Sequence, residues 1–381
     1  MPSVQGECAP RFAAVREAFE KSFAAGEEVG ASFAAFLDGA PVVDLWGGHA
    51  DAARSRPWQR DTLVNVFSTT KAPAALVLHV LAERGVVDLD APVASYWPEF
   101  AQAGKEALRV RDLLAHRAGL AALRAPLPVE ALWDPARMCE ALAAEAPWWE
   151  PGTESGYHAM TYGFLVGEVA RRAAGRTLGA FFRDEVARPL GADFWIGLPA
   201  AEDARVAELV PPSPAELAAA GPAAAPAPGS LLAQVMGNPP LVPATANRPE
   251  WRRAEIPAAN GHGNARSVAR VMAALACGGS LGGVRVIGPD ALARATREEW
   301  RGKDLVLGAE MRWGLGFMLE SDTLPLSPGG RAFGHGGWGG SLGIADPEAR
   351  LGWAYVMNKM SPGTLGDTRA FRLAQALYAG L

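Results

Sequence analysis

Ser68 and Lys71 are the residues whose types and spacing most clearly predict chemistry, and they frame the tetrapeptide Ser-Thr-Thr-Lys. The run of alanine, valine and leucine after Lys71 predicts that this pair opens a buried helix. Residues three apart on a helix share a face, so the amine of Lys71 can lie beside the hydroxyl of Ser68. A serine hydroxyl becomes an effective nucleophile when an adjacent base takes its proton, and a buried lysine can be that base because burial lowers its pKa. The spacing therefore indicates nucleophilic catalysis.

The same tetrapeptide has a non-catalytic interpretation, an N-cap serine followed by a solvated lysine. The apolar setting of Lys71 argues against it, since an unpaired ammonium is costly to bury. The unpaired N–H groups at the start of the helix would also help to hold an oxyanion near Ser68.

Three further segments carry residues of chemical interest. They are Pro-Gly-Thr-Glu-Ser-Gly-Tyr-His-Ala at 151–159, Phe-Gly-His-Gly-Gly-Trp-Gly-Gly at 333–340, and Asp-Leu-Leu-Ala-His-Arg-Ala-Gly-Leu at 112–120. Together with the Ser68 motif, and with Asp-Pro at 346–347 before an apolar strand, they occur in an order that resembles the serine β-lactamase and penicillin-binding-protein superfamily. The likeness covers most of the chain and is greatest to the class C-like family VIII carboxylesterases.

The resemblance implies a role for each matching residue. Ser68 would be the nucleophile, Lys71 its partner in proton transfer, and Tyr157 the second acid/base group. Which of Lys71 and Tyr157 takes the first proton is left open, because coupled groups titrate as a unit. His335, Gly336 and Gly337 would stand where the lactamases have Lys-Thr-Gly and would line the substrate site with Trp338. The backbone N–H groups of Ser68 and Trp338 would form the oxyanion hole.

Two departures from the family pattern predict which substrates are used. Ala159 stands where the penicillin-recognising enzymes have the asparagine of Tyr-x-Asn, and His335 replaces a lysine that would pair with a carboxylate. A histidine is largely neutral at pH 7. We therefore expect hydrolysis of short-chain, neutral carboxylic esters. The alternatives are a β-lactamase or D-alanyl carboxypeptidase-like hydrolase, an acyltransferase, and a catalytically silent binding protein; the set Ser68, Lys71 and Tyr157 argues against the last.

Other motifs predict less. Two Gly-x-Ser-x-Gly strings surround Ser280 and Ser341, but neither has the strand, helix and downstream residues of a nucleophile elbow. The Gly-x-Gly-x-x-Gly string at 334–339 opens no helix, which argues against a dinucleotide site. The three cysteines and six histidines show no metal-ligand spacing, so no metal and no cofactor are expected.

Composition narrows the class of protein. The 381 residues are 49% hydrophobic and 20% charged, typical of a soluble globular protein, and a net charge of −5 argues against a nucleic-acid surface. No apolar run approaches the ~20 residues that span a bilayer, which argues against a membrane protein. The first eleven residues lack the pattern of a secretory signal, which predicts a cytoplasmic protein. A small-molecule ester is the expected partner, and the oligomeric state is not predicted.

Hydrophobic periodicity predicts the elements that must position these residues. Helices are expected at 11–24, 69–84, 265–276 and 289–297, a mostly helical region at 88–188, and a last helix containing Leu365, Phe371, Leu373 and Leu377. Strands are expected at 31–37, 42–46, 313–319, 332–335, 342–345 and 351–357.

The order of these elements predicts an α/β (α+β) fold, and the resemblance implies that it is serine β-lactamase-like. An antiparallel sheet from residues 1–66 and 306–381, flanked by the N- and C-terminal helices, would form one domain. Residues 67–305 would form a mostly helical domain that includes a Pro/Ala-rich cover segment at 199–257. The active site would lie at the seam between them.

Overall fold

A nine-stranded antiparallel sheet is the central element of the protein, in a computed structural model that describes residues 4–220, 227, 229–363 and 366–381. The strands are β1 Gln5–Cys8, β2 Gly30–Leu37, β3 Ala40–Gly48, β4 Val64–Asn65, β5 Phe194–Ile196, β6 Gly261–Gly263, β7 Ser280–Leu281, β8 Val284–Arg285, β9 Trp300–Lys303, β10 Glu310–Trp313, β11 Met318–Leu319, β12 Phe333–Gly336, β13 Leu342–Asp346 and β14 Leu351–Met357. The order in the large sheet is β1-β3-β2-β14-β13-β12-β11-β10-β9. A small sheet, β4-β6-β5, precedes Ser68, and β7 and β8 form a separate hairpin.

The two ends of the chain meet inside this sheet. β2 pairs with β14 in antiparallel register, from Leu37 opposite Leu351 to Ala31 opposite Met357. β2 also forms the predicted hairpin with β3 through Asp38-Gly39. The sheet therefore confirms the predicted α/β (α+β) class and its construction from both chain ends.

Helices cover both faces of the sheet and fill the middle of the chain. They are α1 Ala13–Ala24, α2 Lys71–Glu83, α3 Val110–Leu114, α4 Pro135–Ala144, α5 Thr161–Ala174, α6 Leu178–Phe182, α7 Arg188–Leu190, α8 Pro214–Ala219, α9 Leu231–Gly237, α10 Pro249–Arg253, α11 Ala265–Ala276, α12 Pro289–Thr296 and α13 Thr368–Tyr378. α11 packs on the side of β14 that Gly352 faces, while Tyr355 points to Arg369 of α13 on the other side. Alternation along a strand makes these opposite faces. None of the helices in the described ranges is long and apolar enough to cross a membrane.

The apolar run at 313–319 is not the single strand that the pattern predicted. The N–H of Gly314 donates to the carbonyl of Phe317 at 2.9 Å, and Gly316 has a φ of +88°. This turn separates β10 from β11 and returns the chain so that Trp313 lies opposite Met318. Periodicity alone missed the turn because the residues on both sides of it are buried.

The predicted division into two domains at residue 306 stays a prediction, although two elements cross it. β9, at Trp300–Lys303, belongs to the large sheet although the division places it in the helical part. α11 packs on β2, β13 and β14, so it too is associated with the sheet.

The cover segment at 199–257 packs against the rest of the protein in the residues that are described; 221–226 and 228 lie outside them, as does Leu365 of the predicted last helix. Trp251 is fully buried, and its indole N–H donates to Asn65 at 2.9 Å. The side-chain amide of Asn238 donates to the carbonyls of Leu123 and Ala125, both at 2.8 Å. The segment thus joins the small sheet before Ser68 to a loop of the helical region.

Candidate active site

Ser68 begins a single 3₁₀ turn, Ser68–Thr70, that connects the small sheet to α2. Phe67 precedes it with φ +41° and ψ −128°, a conformation that non-glycine residues rarely adopt and that costs about 1–3 kcal/mol. The ring of Phe67 is held between Trp251 and Trp338, with centroid distances of 6.2 and 5.3 Å. This packing fixes the turn that presents Ser68 at the start of α2.

Lys71 is buried on the first turn of α2, as the apolar sequence around it predicts. Its Nζ lies 2.9 Å from Ser68 Oγ, 2.8 Å from the carbonyl oxygen of Ala159 and 3.0 Å from that of Ala258. Burial lowers the pKa of Lys71 well below its ordinary value. In the neutral amine, two N–H bonds donate to the two carbonyls, so the lone pair is directed at the hydroxyl of Ser68. This is the arrangement of a base that accepts the proton of Ser68.

Tyr157 is buried beside the amine of Lys71. Its ring centroid is 4.8 Å from Nζ, and the ring stacks on Trp313 at 5.8 Å with an interplanar angle of 10°. Burial raises the pKa of the phenol well above its ordinary value, and the proximity of Ser68 offsets only part of the rise. The hydroxyl has no hydrogen bond of good geometry in the described residues, and Ser68 is the side chain near enough to influence its pKa. The phenol is therefore a protonated group facing the reacting atoms.

The loop that carries Trp338 is hydrogen-bonded to the chain around Ser68. Ser341 Oγ donates to the carbonyl of Val66 at 2.7 Å and lies 3.0 Å from Thr69 Oγ1. A Cβ on Gly337 would lie 2.2 Å from Ser341 Oγ and 2.3 Å from the carbonyl oxygen of Val66, so only glycine permits this approach. Ser341, central to one Gly-x-Ser-x-Gly string, is thus a structural link between two loops.

The backbone N–H groups of Ser68 and Trp338 have no acceptor within the described parts of the chain. Hydrogen bonds of Ser341 hold the loop that carries one of these groups against the turn that carries the other. Gly336, the last residue of β12, leads the chain into this loop. The geometry accords with the oxyanion role expected for Ser68 and Trp338, a role that stays a prediction.

His335 is fully buried on β12, with its ring 5.9 Å from that of Tyr157. Its Nδ1 lies 2.7 Å from the carbonyl oxygen of Gly336 and is the donor, because a carbonyl only accepts. Burial, and next the proximity of Lys71, lower the pKa of His335 to about 3. A neutral imidazole at this position gives no cation to pair with an anionic substrate.

Two groups around Tyr157 were not predicted from the sequence as site residues. Asp304 accepts the backbone N–H of Tyr157 at 2.9 Å, although 147 positions separate the two residues. His116, with φ +58°, accepts the backbone N–H of His158 on Nδ1 at 3.1 Å, and its ring lies 4.9 Å from that of Tyr157. The motif at 112–120 was a signal for His116, but nothing local marks Asp304.

No group of three histidine, cysteine, aspartate or glutamate residues in the described ranges is placed to hold a metal ion.

Comparisons with known proteins give relatives over the full length of the chain. The β-lactamase family model matches residues 15–378. The chain is 38% identical to the esterase/β-lactamase LipL of Mycobacterium tuberculosis, over 97% of this chain and 86% of that protein. A crystal structure of a family VIII carboxylesterase superimposes with a TM-score of 0.92 at 49% identity, covering 100% of both chains. A penicillin-binding-protein homologue from Caulobacter crescentus does so with a TM-score of 0.91 at 45% identity, again over 100% of both. These matches confirm the resemblance inferred from the motifs and the serine β-lactamase-like fold.

Proposed function

We propose that this chain, which belongs to the β-lactamase family, is a serine hydrolase that cleaves short-chain carboxylic esters through an acyl-enzyme on Ser68. The observation that carries the proposal is the environment of Lys71. Its amine contacts two carbonyl oxygens and the hydroxyl of Ser68, and it is buried, which disfavours the ammonium. That environment supports a base, whereas a solvated lysine after an N-cap serine would lie at the surface.

Acylation then follows from the positions of three side chains. Lys71 takes the proton of Ser68 as Oγ bonds to the ester carbonyl carbon, and the Ser68 and Trp338 N–H groups hold the resulting oxyanion. When the tetrahedral intermediate collapses, the bond to the alcohol oxygen breaks and Tyr157 gives its proton to that oxygen. The proton on Lys71 restores the phenol. Water repeats the sequence on the acyl-enzyme, which releases the acid and regenerates Ser68.

The neutrality of the site favours uncharged esters. Ala159, at the place of the lactamase asparagine, supplies only its backbone carbonyl, and that carbonyl accepts from Lys71. His335 is held neutral by burial. Neither residue offers an anchor for the carboxylate of a β-lactam. The name of the family VIII carboxylesterase supports ester hydrolysis, and the double name of LipL makes β-lactam cleavage the second candidate activity.

Hydrolysis of p-nitrophenyl butyrate by the wild type, Ser68→Ala and Ser280→Ala tests the proposal. Ser280 is the matched control because it is the serine of the other Gly-x-Ser-x-Gly string and lies on the β7–β8 hairpin. We expect wild-type turnover in Ser280→Ala and none above background in Ser68→Ala, with slow cleavage of nitrocefin. Equal turnover by all three would remove Ser68 from the mechanism. Faster cleavage of nitrocefin than of the ester would favour the β-lactamase function, and a wild type inactive on both and unlabelled by a fluorophosphonate would favour a silent binding protein.

A further inference from the structure

Asp304 is a fully buried carboxylate that the proposed mechanism does not use. Its Oδ1 accepts three backbone N–H groups, those of Tyr157, Val306 and Leu307, each at 2.9 Å. Its Oδ2 lies 3.5 Å from Ser155 Oγ. None of the ion pairs in the described ranges includes Asp304, and the arginines 111, 117 and 301 pair with Glu298 or Glu299 instead.

A turn does not need a buried charge. The N–H groups of Val306 and Leu307 belong to the turn between β9 and β10, which asparagine or serine could also cap. Burying a carboxylate is costly, and burial accordingly raises the pKa of Asp304 while its backbone hydrogen bonds oppose the rise. The local turn does not explain the hydrogen bond from the N–H of Tyr157 to Asp304. This hydrogen bond links the edge strands β9 and β10 to the helical region.

This link fixes the phenol ring as well as the backbone. Leu305 N–H donates to the carbonyl of Ser155 at 2.9 Å, so two hydrogen bonds hold residues 155–157 against the turn. Trp313, on the adjoining strand β10, stacks on the ring of Tyr157. The carboxylate also acts at a distance, because its negative charge disfavours a tyrosinate and so keeps the proton on the phenol.

We propose that Asp304 is a positioning residue for the reaction: it holds Tyr157 at the place from which the phenol protonates the departing alkoxide. The inference rests on the proposed function, since it requires Tyr157 to be the proton donor. It predicts that the loss of Asp304 lowers kcat/KM more for an ester whose leaving group must be protonated than for one whose leaving group departs as a stable anion. Ethoxide is a poor leaving group without protonation, whereas p-nitrophenolate is a stable anion that leaves unaided.

The test compares kcat/KM for ethyl butyrate and p-nitrophenyl butyrate in the wild type, Tyr157→Phe, Asp304→Ser and the control Asp346→Ser. Asp346 is also buried and also accepts two turn N–H groups, those of Glu348 and Ala349, but it lies at the far end of β13. For Asp304→Ser, whose hydroxyl can still cap the turn but is one bond too short to keep all three contacts of Oδ1, we expect a fall on the order of 10²-fold with ethyl butyrate, the usual cost of misplacing a catalytic group, and below about threefold with p-nitrophenyl butyrate. Tyr157→Phe should discriminate in the same sense, and Asp346→Ser should not discriminate.

The outcomes separate the inference from the function on which it rests. If Tyr157→Phe discriminates but Asp304→Ser lowers both rates equally or neither, Asp304 has only a structural role and the inference is wrong. If Tyr157→Phe does not discriminate, Tyr157 is not the proton donor and the inference is wrong, while a wild type that cleaves both esters still supports ester hydrolysis. Asp304→Asn, which keeps the oxygen that accepts the N–H of Tyr157, is the rescue variant and should discriminate much less than Asp304→Ser; equal discrimination by the two, with both folded by thermal unfolding, would also contradict the inference.

Discussion

Two buried lysines in this protein differ in one contact, and that contact decides their chemistry. Lys105 donates to three carbonyl oxygens, of Gln102, Ala143 and Glu145, at 3.0, 3.0 and 2.5 Å. Three carbonyls can be satisfied only by the three N–H bonds of an ammonium. Lys71 has two carbonyls and the hydroxyl of Ser68, which can itself donate. Lys71 is therefore suited to be neutral, and Lys105 is suited to hold a loop.

Lys71→Arg should lower kcat/KM for p-nitrophenyl butyrate by about 10²–10⁴-fold at pH 8, because a guanidinium stays charged and cannot accept a proton. In the wild type, kcat/KM should fall as the pH is lowered through the pKa of Lys71, since protonation removes the base. That pKa is lowered, so the fall should occur well below pH 10.5.

Lys105→Arg is the matched control for this pH profile, because the substitution replaces a buried lysine away from Ser68. It should keep the acid limb of kcat/KM even where it lowers stability. An active Lys71→Arg enzyme with an unchanged profile would contradict the assignment of Lys71 as the base.

At the residue scale, the sequence predicts the side chains that form motifs and misses those that act through the fold. Ser68 and Lys71 are three positions apart, so helical geometry alone places them together. Tyr157 and Trp338 follow from their motifs. Asp304 reaches Tyr157 only because β9 and β10 join the large sheet, and no local pattern in the sequence encodes that pairing.

At the scale of elements, the site depends on the contact between two loops, one before α2 and one after β12. Gly337 is where they touch, with no room for a Cβ between Ser341 and the carbonyl of Val66. The helix bounds at 265–276 are predicted correctly because Asn264 caps the start of that helix, and glycines follow its end at 278 and 279. The contact between the loops could not be predicted, since it joins residues about 270 positions apart.

Gly337→Ala should lower kcat/KM for p-nitrophenyl butyrate by about 10²-fold, the usual cost of losing one oxyanion donor, because its Cβ pushes the Trp338 loop away from Ser68. We also expect the free energy of unfolding to fall by about 1–3 kcal/mol from overpacking. Urea denaturation and steady-state kinetics measure the two effects. Gly237→Ala, where a Cβ on helix α9 meets nothing within 4 Å, should leave the kinetics unchanged and should not lower the free energy of unfolding. Wild-type kinetics in Gly337→Ala would show that the loop position does not matter.

At the scale of the whole molecule, buried ion pairs and hydrogen bonds join residues near the two ends of the chain. Arg369 of α13 pairs with Glu28 and Asp367 at 3.0 and 2.6 Å, in a cluster that is almost completely buried. Tyr355 of β14 donates its hydroxyl to Glu28. Apolar runs at both ends predicted the sheet, because each needs a partner to bury it. The ion cluster was not predicted, since charges at distant positions carry no periodic signal.

Five buried histidines make the folded state as a whole sensitive to acid. They are His79, His116, His158, His262 and His335. Burial lowers the pKa of His79 to about 4, lowers those of His158, His262 and His335 to about 3, and lowers that of His116 well below its ordinary value. In the unfolded chain the same groups titrate near pH ~6.5. The unfolded state therefore binds more protons below that pH.

The free energy of unfolding should accordingly fall as the pH is lowered from about 6.5 toward 4, by about 1 kcal/mol per histidine and pH unit. Urea denaturation at pH 8, 6.5 and 5 measures this slope. His79→Gln keeps a donor for the carbonyl of Leu315, which His79 Nε2 contacts at 2.7 Å, and removes one titrating group. For this variant the free energy of unfolding should fall less steeply with decreasing pH than in the wild type, because one histidine fewer takes up a proton on unfolding. A free energy of unfolding that is constant from pH 8 to 5 would mean that the histidines are protonated equally in both states and would contradict this prediction.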